Sequence, residues 1–386
     1  MALFDFLKKE QPVAQPKPDL GGAIFDTINM RNIDLPMPKE AKGYDWVLFG
    51  PNNSFPLDLL EYRNSSSIHS SIIDGKAALI AGAGFTFGLT REESNQFIID
   101  NWKLVPFWRK LDRIFYQVAK DQQTFGYSCF EVIYSMDRTR VADVNWLDAS
   151  RIAMGRRDEF GNVKEYYYCE NWNNTRQNPP RKIEAFDPNG EDVRQLIFIK
   201  YEENNMDYYA LPNYYSALRW IKADALMAEY NLSAINNGFS PSIVFKFYKK
   251  PTPEERRMNA EGIKMQHGGP KNSGKALIFY SDGKDLAPDV QTLDATNIDA
   301  RLITIAEQII QNIITAHRCH PQLLGIQIPS KLGLSNELLQ SWSIFETMVI
   351  KPERKLLLDA FKQVLIYNGV VRVDIEAMSP IKILEE

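Results

Sequence analysis

Residues 269–276, GPKNSGKA, fit the G-x-x-x-x-G-K spacing of a loop that wraps phosphates. Nucleotide chemistry needs more than that spacing. A hydroxyl after the lysine holds the magnesium ion, whereas Ala276 follows Lys275 here. A phosphate loop also follows a strand and opens a helix, whose first amides face the phosphates. This one follows a helical pattern and opens the apolar run ALIFY, which reads as a strand. A polar turn is the better reading of it.

His317, Cys319 and His320 carry donor atoms suited to zinc, yet no fourth ligand lies near them in sequence, and His69 and His267 stand isolated. They read as an ordinary helix terminus, where the dipole favours histidine. No G-x-S-x-G, no H-E-x-x-H and no nuclease-like carboxylate cluster occurs. The three cysteines, Cys129, Cys169 and Cys319, form no spaced pair and read as reduced apolar filler in a cytosol-like compartment. The sequence therefore assigns no catalytic residue, no metal and no cofactor. A net charge of -4 and a pI of 5.8 give no basic footprint for a tight grip on phosphates. They leave room for a protein past which DNA slides. No apolar run reaches the length of a membrane span, and the N-terminal MALFDFLKKE lacks the order of a signal peptide. It reads as a docking arm.

The elements that must position such residues are two long helical patterns on either side of AHRCHPQLLGI. In the first, over 298–317, Ile298, Leu302, Ile305, Ile309, Ile313 and Ala316 recur at three and four and share a face. Ile303, Ala306, Ile310 and Ile314 make a second apolar row beside them, wider than one core contact needs. The remaining face, Arg301, Thr304, Gln308, Gln311, Thr315 and Arg318, is polar, with charge only at its ends. Such a stripe suits either the solvent side of an ordinary helix or the lining of something long. The wide apolar remainder favours packing on two sides, as between copies in a ring.

Taken in order, residues 1–43 are rich in Pro and polar residues and read as an extended arm. Helices follow over 65–81, with Ile68, Ile72, Leu79 and Ile80 inward, and over 106–123, with Leu111, Ile114 or Phe115 and Val118 inward and a stop near Gly126. The runs CFEVIY, VADVNWLD, RIAMGRR, VKEYYYC and QLIFIKY read as strands separated by turn signals, closing a mixed domain near Leu211. A helix over 213–237 presents Tyr214, Leu218, Ile221, Ala225, Ala228, Leu232 and Ile235. An αβ insertion with strands SPSIVFKFY and ALIFY precedes the helix over 298–317. The last long helix should kink at Pro352, and VVRVDIEA is a final strand. No internal repeat is present.

The helix ending in AHRCHP, the QLLGI after it, the loop GIQIPSKLGLSNE and the helix LLQSWSIFETMVIKPERKLLLDAFKQVL resemble the tunnel-loop region of tailed-bacteriophage portal proteins, the head-to-tail connector family. The segment from DQQTFGYSCFEVIY to DEFGNVKEYYY is similar to the family's wing, with Leu147 and Asp148 before a strand and a Tyr-rich strand over 166–168. IFIKY and NNGFSPSIVF are similar to the family's stem and clip borders, so the likeness runs in order from about Asn64 to Gly369. Two features depart from it: no Gly stands just before the first stem helix, in ALPNYY, and no helical crown follows the last strand.

The resemblance implies an α+β portal fold. The arm would be 1–43, the wing 44–211, the stem helices 212–238 and 296–318, the clip 239–295, the tunnel loop 319–334, and a kinked wing helix with a terminal strand 335–386. It places Arg301, Gln308, Gln311, Thr315, Arg318, Gln327 and Lys331 along a DNA channel and tunnel loop. It places Lys249, Lys250, Glu254, Glu255, Arg256, Lys264, Lys271 and Lys275 at the clip that meets terminase or adaptor. It further implies a homo-oligomeric ring, usually of twelve copies, at one capsid vertex of a virion assembled in the bacterial cytoplasm. Its partners would be double-stranded DNA, the terminase large subunit, the head-tail adaptor and the major capsid protein, with no membrane. Net repulsion of phosphate, with rings of Arg301, Arg318 and Lys331, would give passage without tight binding. Other readings are a nucleotide-dependent DNA-processing enzyme using GPKNSGKA and a tail or baseplate connector.

Overall fold

In a computed structural model of the chain, the described residues are 36–86, 105–236, 244–247, 252–255, 257–258, 277–280, 295–319, 335–369 and 374–375. They belong to one compact unit, Leu35–Glu386. The class is mixed α+β.

Two short strands, β1 (Lys39–Glu40) and β2 (Val47–Leu48), lead into helices α1 (Phe55–Ser65) and α2 (Ser67–Ala81). The pattern over 65–81 is thus α2, and α1 before it is an addition to the sequence reading. The buried face of α2 is His69, Ile72, Ile73, Lys76, Ala77 and Ile80, rotated from the expected one so that Ile68 and Leu79 are half-buried. Strand β3 (Phe85–Thr86) and helix α3 (Val105–Phe125) follow. Leu111, Ile114, Phe115 and Val118 of α3 are buried as their spacing predicts. Gly126 ends α3 at φ 82, and a Cβ there would lie 2.4 Å from the Leu211 carbonyl oxygen. Only glycine fits that turn.

Strands β4 (Tyr127–Tyr134), β5 (Val141–Trp146), β6 (Ile152–Met154), β7 (Glu165–Tyr168), β8 (Arg181–Ala185) and β9 (Arg194–Lys200) form a six-stranded sheet in the order β5-β4-β9-β8-β7-β6. Every pairing is antiparallel except β8 with β9, which share only Glu184↔Gln195 and Ala185↔Leu196. The sequence reading found five of these runs and missed β8. RKIEA carries charge at three of five positions, and only Ile183 is buried.

Helix α4 (Leu218–Asn236) follows a short turn of tighter helix at Tyr215–Ala217, where one continuous helix from 213 was expected. Strands β10 (Val244–Phe247) and β11 (Leu277–Tyr280) pair in parallel, and residues 253–255 and 257–258 are helical, as the αβ insertion predicts. Helix α5 (Ala295–Ala316) and helices α6 (Ser335–Phe345) and α7 (Lys351–Tyr367) complete the chain with β12 (Asp374–Ile375), which pairs with β3.

The break expected at Pro352 is displaced. Residues Glu346–Ile350 form a π-helical turn between α6 and α7, closed by the Lys351 amide on the Glu346 carbonyl. Pro352 has no N–H and crowds the carbonyl four residues back. A wider turn just before it absorbs that mismatch, and Pro352 sits in the first turn of α7. Helix α7 packs on the sheet through Phe361, whose ring lies 4.3 Å from that of Phe130 and 5.2 Å from that of Phe115. One aromatic core therefore joins α3, α7 and the sheet.

Candidate functional site

Helices α4 and α5 pack together, and their near ends are rooted in the core. Leu218 and Ile221 of α4 and Ile309, Ile313 and Ile314 of α5 are buried. Farther along, the same apolar rows reach solvent: Leu226, Tyr230 and Leu232 on α4 are exposed, as are Ile303 and Ile305 on α5, with Ile303 at 62% and Leu232 at 60%. The expected face of α4 is thus divided, since Ala228 and Leu232 are exposed while Tyr214, Leu218 and Ile221 are core.

The polar stripe lies where its spacing predicts. Thr304, Gln308, Gln311, Thr315 and Arg318 are exposed on α5 and its end. Within it the side chains turn back on their own helix: Thr315 Oγ1 donates to the Gln311 carbonyl at 2.7 Å, and Gln311 Nε2 donates to Thr315 Oγ1 at 3.4 Å. Beside them Asn312 Nδ2 donates to the Gln308 carbonyl at 2.7 Å. Thr304, Gln308, Gln311 and Thr315 are uncharged and partly self-satisfied, with little to offer a phosphate beyond weak hydrogen bonds, and the exposed Glu307 flanks them with a negative charge. Arg301 lies within α5, where its backbone alone is described. Glu254 and Glu255 are exposed, and Glu255 Oε2 accepts from the Thr252 amide at 2.9 Å. Gln327, Lys331, Lys249, Lys250, Arg256, Lys264, Lys271, Lys275, His267, His320, the GPKNSGKA loop and the arm before residue 36 lie outside the described residues.

The end of α5 is closed tightly. The Cys319 amide donates to the Ile314 carbonyl at 3.4 Å and the Arg318 amide to the Thr315 carbonyl at 3.0 Å, with Arg318 at φ 54. This is the double bond pattern of a Schellman cap, in which glycine usually takes the left-handed position. Arg318 occupies it at a cost of about 1–2 kcal/mol.

Directly beneath, His317 is buried and meets a residue the sequence reading left isolated. His69 Nδ1 and His317 Nε2 lie 2.8 Å apart. Tyr214 packs against both rings, at 5.1 Å from His317 and 4.3 Å from His69, and its hydroxyl donates to the Thr124 carbonyl at 2.6 Å. Burial, with Arg63 adding to it, pushes the His69 imidazole down to about 3. Burial together with Lys76 and His69 holds His317 well below its ordinary value. His317 sits at a helix terminus as expected, but burial keeps the ring neutral, so it acts there by hydrogen bonding and not through the helix dipole. Lys76 is itself buried in α2, and burial lowers its pKa against the pull of Glu353 and Cys319.

Three further ties hold the surrounding helices. Ser66 caps α2, accepting from the His69 amide at 3.2 Å, and donates to Asp224 of α4 at 2.6 Å. Glu353 of α7 accepts from Asn213 at 2.9 Å, from Gln123 at 3.2 Å and from the Tyr201 hydroxyl. Arg354 is buried, donating to the Ile80 and Leu79 carbonyls at the end of α2 and to Glu346 at 2.9 Å. The sequence held a signal for part of this: a lysine inside the apolar run IIDGKAALIA is out of place unless something receives it. Nothing local pointed to the pairing of His69 with His317.

Among the described residues no group of three or more His, Cys, Asp or Glu is placed to hold a metal ion, and no helix is long and apolar enough to cross a membrane. The sequence matches no family model and no curated protein. Solved structures do match. A chain from the neck of an empty gene transfer agent (GTA) particle, computed with C6 symmetry, superposes with a TM-score of 0.55 at 14% identity over 86% of each chain. A chain from the virion of a native GTA particle gives 0.53 at 15% identity, over 86% of this chain and 86% of that one. A chain from the neck of a native GTA particle, computed with C12 symmetry, gives 0.51 at 15% identity, over 86% of this chain and 87% of that one. The chain is thus similar in fold, over most of its length, to chains of GTA neck and virion structures.

Proposed function

We propose that the chain is a portal subunit: copies assemble into a ring, on the order of twelve, that forms the DNA conduit at one vertex of a phage-like capsid. The observation that carries this reading is the division of α4 and α5. Their roots are locked into the core, while apolar residues of both helices reach solvent farther out and a polar stripe, flanked by the exposed Glu307, runs along α5. Apolar rows on two sides suit packing between neighbours in a closed ring, and the stripe suits a wall past which a charged polymer moves without sticking. The fold shared with chains of particle necks supports the same reading.

In this account Gln308, Gln311 and Thr315 line the channel, with Arg301 and Arg318 as rings of positive charge at its two levels, and Gln327 and Lys331 lie on the loop that approaches DNA. The insertion carrying Lys249, Lys250, Glu254, Glu255, Arg256, Lys264, Lys271 and Lys275 docks the terminase large subunit during packaging and the head-tail adaptor afterwards. The capsid protein surrounds the ring. ATP hydrolysis belongs to the terminase, and no reaction is assigned to this chain. The test is packaging in cells carrying Arg301→Glu with Arg318→Glu: the account predicts normal particle assembly with reduced DNA content or retention. Full DNA content in such particles would instead favour a connector that never meets DNA.

A further inference from the structure

Among the described residues asparagine precedes glycine at two places: Asn189–Gly190, in the turn from β8 to β9, and Asn368–Gly369, just past α7. This is the pair in which a backbone nitrogen most readily reaches the preceding side-chain carbonyl, because glycine has no Cβ to hold it off. The fold treats the two side chains differently.

Asn368 is gripped through both polar atoms of its amide. Its Oδ1 accepts from the Val141 amide at 2.7 Å and its Nδ2 donates to the Val141 carbonyl at 3.0 Å, which ties the end of α7 to the first residue of β5. Asn189 is exposed, and among the described residues its side chain makes no hydrogen bond; its backbone amide donates to Asp187 Oδ1 at 2.9 Å. The two glycine nitrogens are held alike, Gly190 donating to the Asp187 carbonyl at 3.0 Å and Gly369 to the Ile366 carbonyl at 2.9 Å. What separates the sites is the pair of hydrogen bonds on Asn368, both of which must open before that side chain can turn.

We propose that Asn189 is a site of spontaneous deamidation and isoaspartate formation, and that Asn368 in the same chain is protected by its pairing with Val141. The Gly190 nitrogen attacks Cγ of Asn189; the new C–N bond closes a five-membered succinimide as the Cγ–Nδ2 bond breaks, and Nδ2 leaves as ammonia with the proton given up by Gly190. Water then opens the ring. Attack at Cγ leaves aspartate, whereas attack at the Asn189 backbone carbonyl leaves isoaspartate, in which the main chain runs through Cβ and Cγ and is longer by a single carbon. Either product adds a negative charge to a turn that already carries the exposed Asp187, Glu191 and Asp192. The inference rests on this turn in the single chain and is independent of ring assembly.

The test incubates the full chain in mildly alkaline buffer, folded and in denaturing urea, and follows the peptides that carry the two sites by mass spectrometry for exchange of NH for O, with isoaspartate identified by enzymatic methylation. In the folded chain Asn189 should react about tenfold or more faster than Asn368. In urea the pairing with Val141 is gone, and the two rates should fall within about threefold of each other. Asn189→Gln, a change at an exposed side chain whose extra methylene disfavours ring closure, should remove the product from this turn. Asn189 reacting no faster than Asn368 in the folded chain would overturn the proposal. So would a rate ratio that urea leaves unchanged, since the fold would then not be its cause.

Discussion

His69 and His317, 248 positions apart in the chain, share a hydrogen bond of 2.8 Å that fastens the end of α5 to α2. One ring donates and the other accepts, and burial keeps both neutral at pH 7. Nε2 of His69 finds no partner among the described residues, a cost carried by the fold for holding the two helices at this point.

That pair makes stability depend on acid. In the unfolded chain histidine takes a proton near its ordinary value of 6.5, whereas in the folded chain His69 resists until about 3 and His317 is likewise held low. Their contribution is complete above pH 6.5 and lost as pH falls from there towards 3, by about 1.4 kcal/mol per pH unit for each ring. Asp121 opposes this: burial and Asp148 raise it to about 8, so its contribution is lost as pH rises through that value. Urea titrations at pH 7 and pH 5 on the parent and on His69→Phe with His317→Phe should show a smaller acid loss in the variant. Equal losses would show that these rings do not set the acid limit.

Arg354 is the fastening between α2 and the π turn. Arg354→Met keeps much of the volume but strands Glu346 and the carbonyls of Leu79 and Ile80, which should cost about 3–5 kcal/mol. Adding Glu346→Leu removes the stranded carboxylate and should recover part of that loss in thermal denaturation. No recovery would place the loss in the α2 carbonyls alone.

Arg318 holds a left-handed conformation at φ 54. Arg318→Gly relieves it and should stabilise the isolated chain by about 1 kcal/mol. The same change removes a positive ring from the proposed channel. Greater stability with weaker DNA retention, measured separately on purified protein and on particles, is the expected pattern.

The exposed rows of α4 and α5 separate folding from assembly. Leu226→Asp and Ile303→Asp alter residues that are 46% and 62% exposed, so the stability of the single chain should change by no more than about 0.5 kcal/mol. Sedimentation should nonetheless show loss of the oligomer, because a carboxylate in a desolvated contact has no partner there.

Periodicity made α3, α5 and most of the sheet legible, because each buries one regular stripe: Leu111, Ile114, Phe115 and Val118 needed only their spacing. Helix α1 was missed because Leu57 points outward while Phe55 and Leu59 are buried, leaving too little pattern in eleven residues. Strand β8 was missed because it carries charge at three of five positions and buries only Ile183, although it lies inside the sheet between β9 and β7. The polar stripe was legible as a stripe, since Gln308, Gln311 and Thr315 lie on one helix. The contact of His69 with His317 and the cap of Arg354 on α2 were not, since each joins elements hundreds of residues apart and depends on packing no local window contains.

Electron microscopy of the purified full-length chain tests the central claim most directly. The account predicts closed rings with a central opening at least as wide as a DNA duplex, and so wider than the major groove's width of about 12 Å, with α5 nearest the axis. Uniform single-copy particles under every assembly condition, or rings in which the Gln308–Thr315 face is turned away from the axis, would contradict it.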